Sequence, residues 1–284
     1  MIKRILQLCL LLTSINSQAD SIFSAIPCTL NGDLITNTIG YSADDNLCDF
    51  RATELKLDVY KIALCTQGPA FSNLTQPDFS SCSFIYNSET SSEIAVNANS
   101  SFNLDKLTKP APGIYPHILL ITSNNVKIKA QAHFDSTRFA ENGGGGSGTY
   151  CWTDGSVVHK NPDSVTGNGL SCGNSVNSAS YNFNEIAWAG SVEGTEEVPG
   201  GVAKMSMLTS NLLLTGVVAD TARLGFLYTL NTPIAIASNT YALKMSINIG
   251  TGASLVFDQP TQKIKWIEDA PFAYIIEPVN QSNF

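Results

Sequence analysis

The chain has 284 residues and an acidic composition, with 24 Asp and Glu against 16 Lys and Arg and a formal net charge of −8. This charge makes nucleic acid and anionic lipid poor partners, because both repel an acidic surface. Charged residues make up only 14% of the chain, so solubility depends mainly on the abundant Ser, Thr, Asn and Gly. Such a surface is more typical of an exposed β-sheet than of a helical enzyme.

The first 19 residues have the pattern of a secretory signal peptide. Lys3 and Arg4 precede the apolar run 5–12, and Ala19 ends a segment with the small-residue spacing that signal peptidase recognises. We therefore expect export, with 20–284 as the mature chain, to the periplasm, the cell surface or the outside of the cell. No later stretch reaches the roughly 18 apolar residues of a spanning helix. The mature chain is expected to have no membrane span.

Six of the seven cysteines remain after Cys9 leaves with the signal peptide. An even number in an exported protein favours complete pairing into disulfides. The cysteines form three neighbouring pairs, each enclosing a loop of about 20 residues that contributes roughly 3 kcal/mol in the chain-entropy picture. Sequential pairing is the simplest connectivity. The predicted disulfides are Cys28–Cys48, Cys65–Cys82 and Cys151–Cys172.

Strands are predicted along most of the mature chain by the alternation of apolar and polar residues. Within 55–64 the apolar set changes parity after Val59, as expected at a β-bulge. Before 55, the segment 46–54 allows a short helix. The two apolar sets are Leu55, Leu57 and Val59, followed by Tyr60, Ile62 and Leu64.

The segment 126–134 alternates strictly, which predicts one buried face and one wet face carrying Lys127, Lys129 and His133. Turn chemistry at 123–125 predicts a hairpin that pairs this strand with 114–122. The second half of the chain continues in the same style, with a turn at 250–252 between two strands. The strands predicted there, and one earlier, are 93–98, 181–189, 203–208, 212–218, 223–230, 241–249, 253–257, 263–267 and 273–277.

Many short strands with polar turns predict an all-β fold, an antiparallel β-sandwich or a jelly-roll-like arrangement held by disulfides. The Gly-rich tract 143–148 divides the chain into a predicted N-terminal β domain, 20–142, and a C-terminal β domain, 149–284. The same tract is also compatible with a loop inside one large sandwich. One large or two smaller sandwiches therefore remain open.

The sequence contains partial matches to catalytic and metal-binding motifs, but the residues around each match do not fit the motif. Ser171 lies in a Gly-x-Ser-x-Gly sequence like that of a nucleophile elbow, but no helix pattern follows, and His117, His133 and His159 all precede it. A His117–His133 metal pair does not fit the register of the predicted hairpin. Cys151 and Cys172 bracket His159 but lack the close cysteine spacing of structural zinc sites. We therefore predict no catalytic residue, no metal and no cofactor.

Aromatic residues are the remaining candidates for binding. Tyr150, Trp152, Trp188 and Trp266 have rings that can stack on sugars or on a partner, although packing against the core or a disulfide is the favoured interpretation. The sequence thus predicts an exported non-enzymatic β protein with a structural, adhesive or assembly role. Its partners would be a protein or glycan surface, or further copies of itself. The alternatives are a secreted carbohydrate-binding module and a secreted hydrolase.

Limited proteolysis tests the predicted division into two domains. If 143–148 is a linker, cleavage there followed by reduction should release two fragments that each retain β structure, because each has its own core. Gel filtration and circular dichroism measure both properties. A nick after which the fragments stay associated would instead place the tract inside one domain.

Overall fold

A computed structural model describes residues 27–37, 39–40, 45–97, 107–141, 144–160, 163–188, 193–198, 200–258, 263–270 and 272–280. Strand makes up 67% of this part of the chain, and its helical content is a three-residue 3₁₀ turn at Val218–Asp220. The predicted all-β, disulfide-bonded fold is confirmed. The predicted signal peptide lies outside the described residues. Among those described, no helix has the length and apolar character needed to cross a bilayer.

The strands follow one another with short connections. In chain order they are β1 (Thr29–Asn31), β2 (Leu34–Asn37), β3 (Ile39–Gly40), β4 (Asp45–Phe50), β5 (Glu54–Cys65), β6 (Cys82–Asn97), β7 (Gly113–Lys129), β8 (Gln131–Phe139), β9 (Ser147–Trp152), β10 (Val157–Lys160), β11 (Asp163–Thr166), β12 (Ser171–Gly173), β13 (Asn184–Ala187), β14 (Glu193–Val198), β15 (Gly201–Leu208), β16 (Arg223–Ile236), β17 (Thr240–Asn248), β18 (Ala253–Asp258), β19 (Ile264–Asp269) and β20 (Ala273–Asn280).

The largest sheet has nine strands, and β7 organises it. One edge of β7 pairs with β5 along nearly its whole length, and β6 pairs with β5. The other edge of β7 pairs first with β16 and then with β13. Strands β15 and β14 extend the sheet beyond β16, whereas β10 and β11 extend it beyond β13. The sheet therefore forks where β7 changes partner.

Three smaller sheets complete the described fold, with strand orders β1-β2-β8-β9-β12, β19-β18-β4-β3 and β17-β20. The last four described strands form one antiparallel ribbon, because β17 pairs with β20 and β18 pairs with β19. The two halves of this ribbon belong to different sheets. The ribbon bends between them, where the amide of Ala270 donates to the carbonyl of Gly252 at 3.3 Å. We call this segment the bent ribbon.

Alternate residues of β7 supply two separate hydrophobic clusters. Ile118 and Leu120 belong to the main cluster, whereas Leu119 and Ile121 belong to a second cluster. This division follows from the two-residue period of a strand, which sends successive side chains to opposite faces. The middle of β7 is therefore buried on both faces.

The main cluster contains residues from both sides of the Gly-rich tract. For example, the rings of Phe134 and Phe257 pack edge to face with centroids 6.5 Å apart, and both are almost completely buried. Strand β8, before the tract, pairs with β9, which begins within the tract and continues beyond it. Separating the ranges 20–142 and 149–284 would expose these rings and break this pairing. The division into two domains stays a prediction.

The predicted bulge in β5 is confirmed by a register shift between Val59 and Lys61. Ile62 and Leu64 then face the main cluster, as the change of parity predicted. Tyr60 differs from the prediction, because it packs against the second cluster on the opposite face. Lys61 is buried at the bulge, and its Nζ donates to the side chains of Asn87 and Glu89.

The predicted hairpin at 123–125 is wrong, because β7 continues through these residues as one strand. Strand β5 pairs on both sides of the segment, and the polar side chains find partners without a turn. Asn125 donates through Nδ2 to Glu185 Oε1, and Ser123 donates through Oγ to the carbonyl of Asn125 at 3.0 Å. The side chains that suggested a turn satisfy bonds at the fork instead.

Two further predictions are corrected. The segment proposed as a short helix, 46–54, contains β4, which pairs with β18 and β3. The segment 212–218 is irregular rather than a strand, and Leu212, with a positive φ of 63°, turns the chain there. In both places pairing and packing with distant segments outweigh the local pattern.

Disulfide bonds join Cys28 to Cys48, Cys65 to Cys82 and Cys151 to Cys172. These are the three sequential pairs that the sequence predicts. Cys65 lies directly opposite Cys82 in the β5–β6 pair, and Cys151 lies opposite Cys172 in the β9–β12 pair. Three disulfides are typical of an oxidising compartment outside the cytoplasm.

Asn184 in β13 is fully buried, and its side chain forms hydrogen bonds with three separate segments of the backbone. Its Oδ1 accepts hydrogen bonds from three successive backbone amides, those of Asp154, Gly155 and Ser156, at 3.2, 3.0 and 3.1 Å. Its Nδ2 donates to the carbonyls of Gly169 and Ile267, both at 3.2 Å. The side chain uses both its acceptor and its donors, so the surrounding backbone groups depend on it.

Replacing this side chain should destabilise the protein strongly. We expect Asn184→Ala to lower the free energy of unfolding by about 2–4 kcal/mol, because several buried backbone groups lose their partner. The matched control is Asn182→Ala, at an exposed asparagine nearby, with an expected change of roughly 0.5 kcal/mol or less. Urea denaturation of both variants measures the difference. Equal effects would contradict the role of Asn184.

Candidate functional site

A partly open cleft lies between two irregularities of the fold, the fork of the nine-stranded sheet and the bend of the bent ribbon. At the fork, β16 leaves the edge of β7 at Ser123, and β13 joins that edge at Asn125. Asn124 lies between them: its backbone amide donates to the carbonyl of Ala222 at 3.2 Å, and its carbonyl accepts from the amide of Trp188 at 3.3 Å. The diverging strands and the bend face each other and leave the cleft between them. We refer to it as the fork cleft.

Most of the fork cleft is apolar. Its sheet side consists of residues of β7, β13, β14, β15 and β16, together with Trp188 just after β13. Its other side consists of Asp269, Ala270 and Phe272 of the bent ribbon. The lining residues are Asn124, Val126, Ile186, Trp188, Gly194, Glu196, Val198, Ala203, Met205, Leu224, Phe226, Tyr228, Asp269, Ala270 and Phe272.

Aromatic rings dominate one wall of the cleft. The ring centroids of Phe226 and Phe272 are 6.2 Å apart. Tyr274, which is not part of the lining, packs against Tyr228 with centroids 5.4 Å apart. Such contacts fix the rings in place, since aromatic pairs prefer tilted and edge-to-face packing at these distances. Trp188, directly after β13, completes the aromatic part of the lining.

Three polar side chains reach into this apolar lining. Asn124 has a buried Oδ1 without a hydrogen-bond partner in the described part of the chain, while its Nδ2 donates to the carbonyl of Thr221 at 3.4 Å. Glu196 and Asp269 add two carboxylates from opposite sides of the cleft. Burial raises the pKa of Tyr228 well above its ordinary value of 10.0, and the negative charge of Glu196 raises it further.

The fork cleft is small, with a cavity volume of about 50 Å³. Because a water molecule needs roughly 10–15 Å³ of such volume, the cleft admits about three to five groups of that size. A single side chain fits this space better than a sugar ring.

The sequence-predicted site residues do not assemble into a catalytic or metal centre. Ser171 lies in β12, opposite Trp152 of β9, and its Oγ donates to Asp154 Oδ2 at 3.5 Å. His117 lies in β7 and His133 in β8, two strands of different sheets. His159 lies in β10, opposite Ser164. In the described ranges, no three His, Cys, Asp or Glu side chains group as metal ligands.

The candidate sugar-stacking rings are mostly buried. Trp152, Trp188 and Trp266 expose 4%, 6% and 9% of their surface, which agrees with the core-packing interpretation. Tyr150 is half-buried and stacks on His133 with centroids 4.0 Å apart. Of these four residues, only Trp188 is part of the fork cleft.

Sequence reasoning missed Asn124, Glu196 and Asp269 as site residues. They are separated by long stretches of chain and meet only because β7, β14 and the bent ribbon converge. One signal was visible, since Asn124 and Asn125 interrupt an otherwise apolar alternation. That interruption marks the fork rather than the predicted turn.

Two buried tyrosines, Tyr228 and Tyr274, make stability depend on pH in the alkaline range. Burial raises the pKa of Tyr274 well above its ordinary value of 10.0, and Tyr228 adds to this effect. The folded protein therefore keeps a proton that the unfolded chain releases above pH about 10. The free energy of unfolding should fall as pH rises beyond that point, by about 1.4 kcal/mol per pH unit for each such tyrosine.

Tyr274→Phe should make the decline of the free energy of unfolding with pH less steep, because one of the two buried tyrosines no longer titrates. Urea denaturation at pH values above 9 measures this decline. At pH 7 the same variant should change stability by less than about 1 kcal/mol, because the Tyr274 hydroxyl is buried and has no hydrogen-bond partner among the described residues. Tyr241→Phe, at an exposed ring, is the control and should leave the pH dependence unchanged. Identical slopes in all three proteins would contradict the assignment.

Comparison with known proteins finds no relative with which the fork cleft can be compared. No family model matches the chain, and no curated protein or solved structure is significantly similar to it. The chemistry of the cleft is therefore the basis for inferring function.

Proposed function

We propose that the protein is an exported, non-enzymatic β protein that acts by binding, in a structural, adhesive or assembly role at the cell envelope or outside the cell. The observation that carries this proposal is the fork cleft, whose aromatic and aliphatic walls suit the insertion of one side chain from a partner. Hydrophobic pockets of this kind anchor the central residues of protein–protein interfaces. The disulfides support a location outside the cytoplasm.

The size of the fork cleft favours a protein partner over a glycan. A pyranose ring with its substituents has more than twice as many heavy atoms as the three to five water-sized groups that the volume admits. Carbohydrate sites also depend on exposed ring faces, whereas Trp152 and Trp266 are buried. A carbohydrate-binding module is therefore the weaker alternative.

A hydrolase is the second candidate, and one observation favours it. Glu196 and Asp269 bring two carboxylates from distant strands to one cleft, and paired carboxylates serve as acid and base in glycoside hydrolysis. The small cleft volume argues against this role, because a glycosidic substrate needs space for a sugar on each side of the scissile bond.

One set of measurements separates the three functions. The purified mature protein is examined by light scattering and electron microscopy for assembly, on a glycan array for sugar binding, and with glycoside substrates for turnover. We expect assembly or protein binding without turnover. A strictly monomeric protein that binds a defined sugar would overturn the proposal, and turnover that Glu196→Gln abolishes would establish the hydrolase.

A further inference from the structure

We propose that Lys61 of β5 and Asn87 of β6 form an intramolecular isopeptide bond, a covalent amide cross-link that the folded protein makes by itself. The two residues lie directly opposite each other in the β5–β6 pair. Lys61 Nζ donates to Asn87 Oδ1 at 2.5 Å and to Glu89 Oε1 at 3.1 Å. One amine thus contacts both an amide and a carboxylate, which are the groups that exchange of an amide nitrogen requires. The site is separate from the fork cleft and does not depend on the proposed function.

The irregular register of β5 and β6 brings these three side chains together. Between two successive pairs of the register, β5 contributes one residue, Tyr60, whereas β6 contributes the segment 88–91. This extra length lets Glu89 lie beside the side chain of Lys61 although Asn87 already stands opposite it. Bulges of this kind re-aim side chains and often lie next to reactive sites.

The burial of Lys61 is unusual for a lysine in a surface ion pair. Its side chain exposes 8% of its surface, whereas that of its partner Glu89 exposes 84%, and the ring centroid of Phe84 lies 5.9 Å from Nζ. Burying an ammonium group is costly, and an ion pair with an exposed carboxylate offsets little of that cost. An amide at this position is neutral, so the cross-link would remove the buried charge.

Arg223 is a second cation that acts on this group. Its guanidinium carbon lies 4.1 Å from the ring centroid of Tyr60, the neighbour of Lys61. The hydrogen bond and the positive charge of Lys61 hold the pKa of Glu89 below its ordinary value of 4.5, and the charge of Arg223 adds to this effect. Glu89 is therefore ionised at neutral pH and can accept a proton from Lys61.

The distance between the amine and the amide suits a direct attack. Because a C=O bond is about 1.2 Å long, Nζ of Lys61 is at most about 3.7 Å from Cγ of Asn87. This approaches the separation of about 3–3.5 Å at which positioned groups react. Opposite positions on paired strands hold the two groups together, so the reaction needs no encounter between molecules.

The proposed reaction replaces the amide nitrogen of Asn87 with that of Lys61. Glu89 takes a proton from the Lys61 ammonium group, and the free amine forms a bond to Asn87 Cγ while the C=O electron pair moves onto Oδ1. Glu89 then gives its proton to Nδ2 and takes a second proton from Nζ. The Cγ–Nδ2 bond breaks, the electron pair on Oδ1 restores the carbonyl, and ammonia leaves with the second proton. One ammonium ion is released for each cross-link, and no oxidant or other reactant is consumed.

The cross-link would fasten an edge strand. Among the described strands, β6 pairs with β5 alone, and the disulfide Cys65–Cys82 joins these two strands at one end of their pairing. An isopeptide bond between Lys61 and Asn87 would join them again nearer the middle of β6. Unlike the disulfide, it would persist under reducing conditions.

Intact-mass spectrometry of the purified mature protein, denatured and reduced, tests the proposal. We expect a mass lower by one ammonia than the sequence with all cysteines as thiols. Lys61→Arg and Asn87→Ala should each restore the full sequence mass, because each removes one of the two joined groups. Asn87 is exposed, so circular dichroism should show that its variant folds. The full sequence mass in the unaltered protein, or an ammonia deficit that persists in either variant, would overturn the proposal.

Two further variants test the role of the carboxylate. Glu89→Gln should be recovered largely without the cross-link, because a positioned acid–base group contributes about 10²–10⁴-fold to a rate. Lys56→Arg is the matched control, since Lys56 lies on the same strand and pairs with Glu93 at 3.2 Å. It should keep the ammonia deficit. Loss of the deficit in Lys56→Arg would contradict the assignment to Lys61.

Tandem mass spectrometry of a tryptic digest locates the bond and separates it from a succinimide at an asparagine, which also loses ammonia. We expect a single peptide, 57–106, that is uncleaved after Lys61 and lacks backbone fragments between Lys61 and Asn87. Release of 57–61 as a separate peptide from the unaltered protein would show that Lys61 is free and would refute the cross-link.

Discussion

The fold depends on a single strand, β7, which is hydrogen-bonded on both edges and buried on both faces. Its inward residues Ile118 and Leu120 pack in the main cluster, and Leu119 and Ile121 pack in the second. A strand in this position tolerates no slip of register, because a shift of one residue would exchange the two buried sets and unpair both neighbours. Each of the other layers is placed by contact with β7 or with a strand that pairs with it.

The same strand also explains why an opening exists in an otherwise packed interior. One edge of β7 serves two partners in succession, β16 and β13, and these strands diverge at Asn124. The bent ribbon lines the other side of the cleft with Asp269, Ala270 and Phe272 and leaves a cavity of about 50 Å³. Protein interiors rarely contain voids. Side chains of regular strands fill the space least well where those strands diverge, so a void at this junction has a structural reason.

The chemistry of the fork cleft follows from its position between layers. Aromatic side chains fill most of the gap between the sheet and the bent ribbon, and the carboxylates of Glu196 and Asp269 lie among them. A buried carboxylate is costly unless its charge is compensated. Both side chains have interaction partners within the protein, and such partners offset this cost.

The sequence by itself determined the fold class and the three sequential disulfides, because strand periodicity and cysteine spacing are local properties. It also located the bulge after Val59 from a change of parity. It did not determine the partners of strands: 123–125 has turn chemistry, yet pairing with β5 and β13 holds it extended, and 46–54 pairs with β18 instead of forming a helix. Only the tertiary structure decided that Asn124, Glu196 and Asp269 share one cleft, since strand pairing between distant segments depends on the free energy of the whole packed core and not on any local pattern.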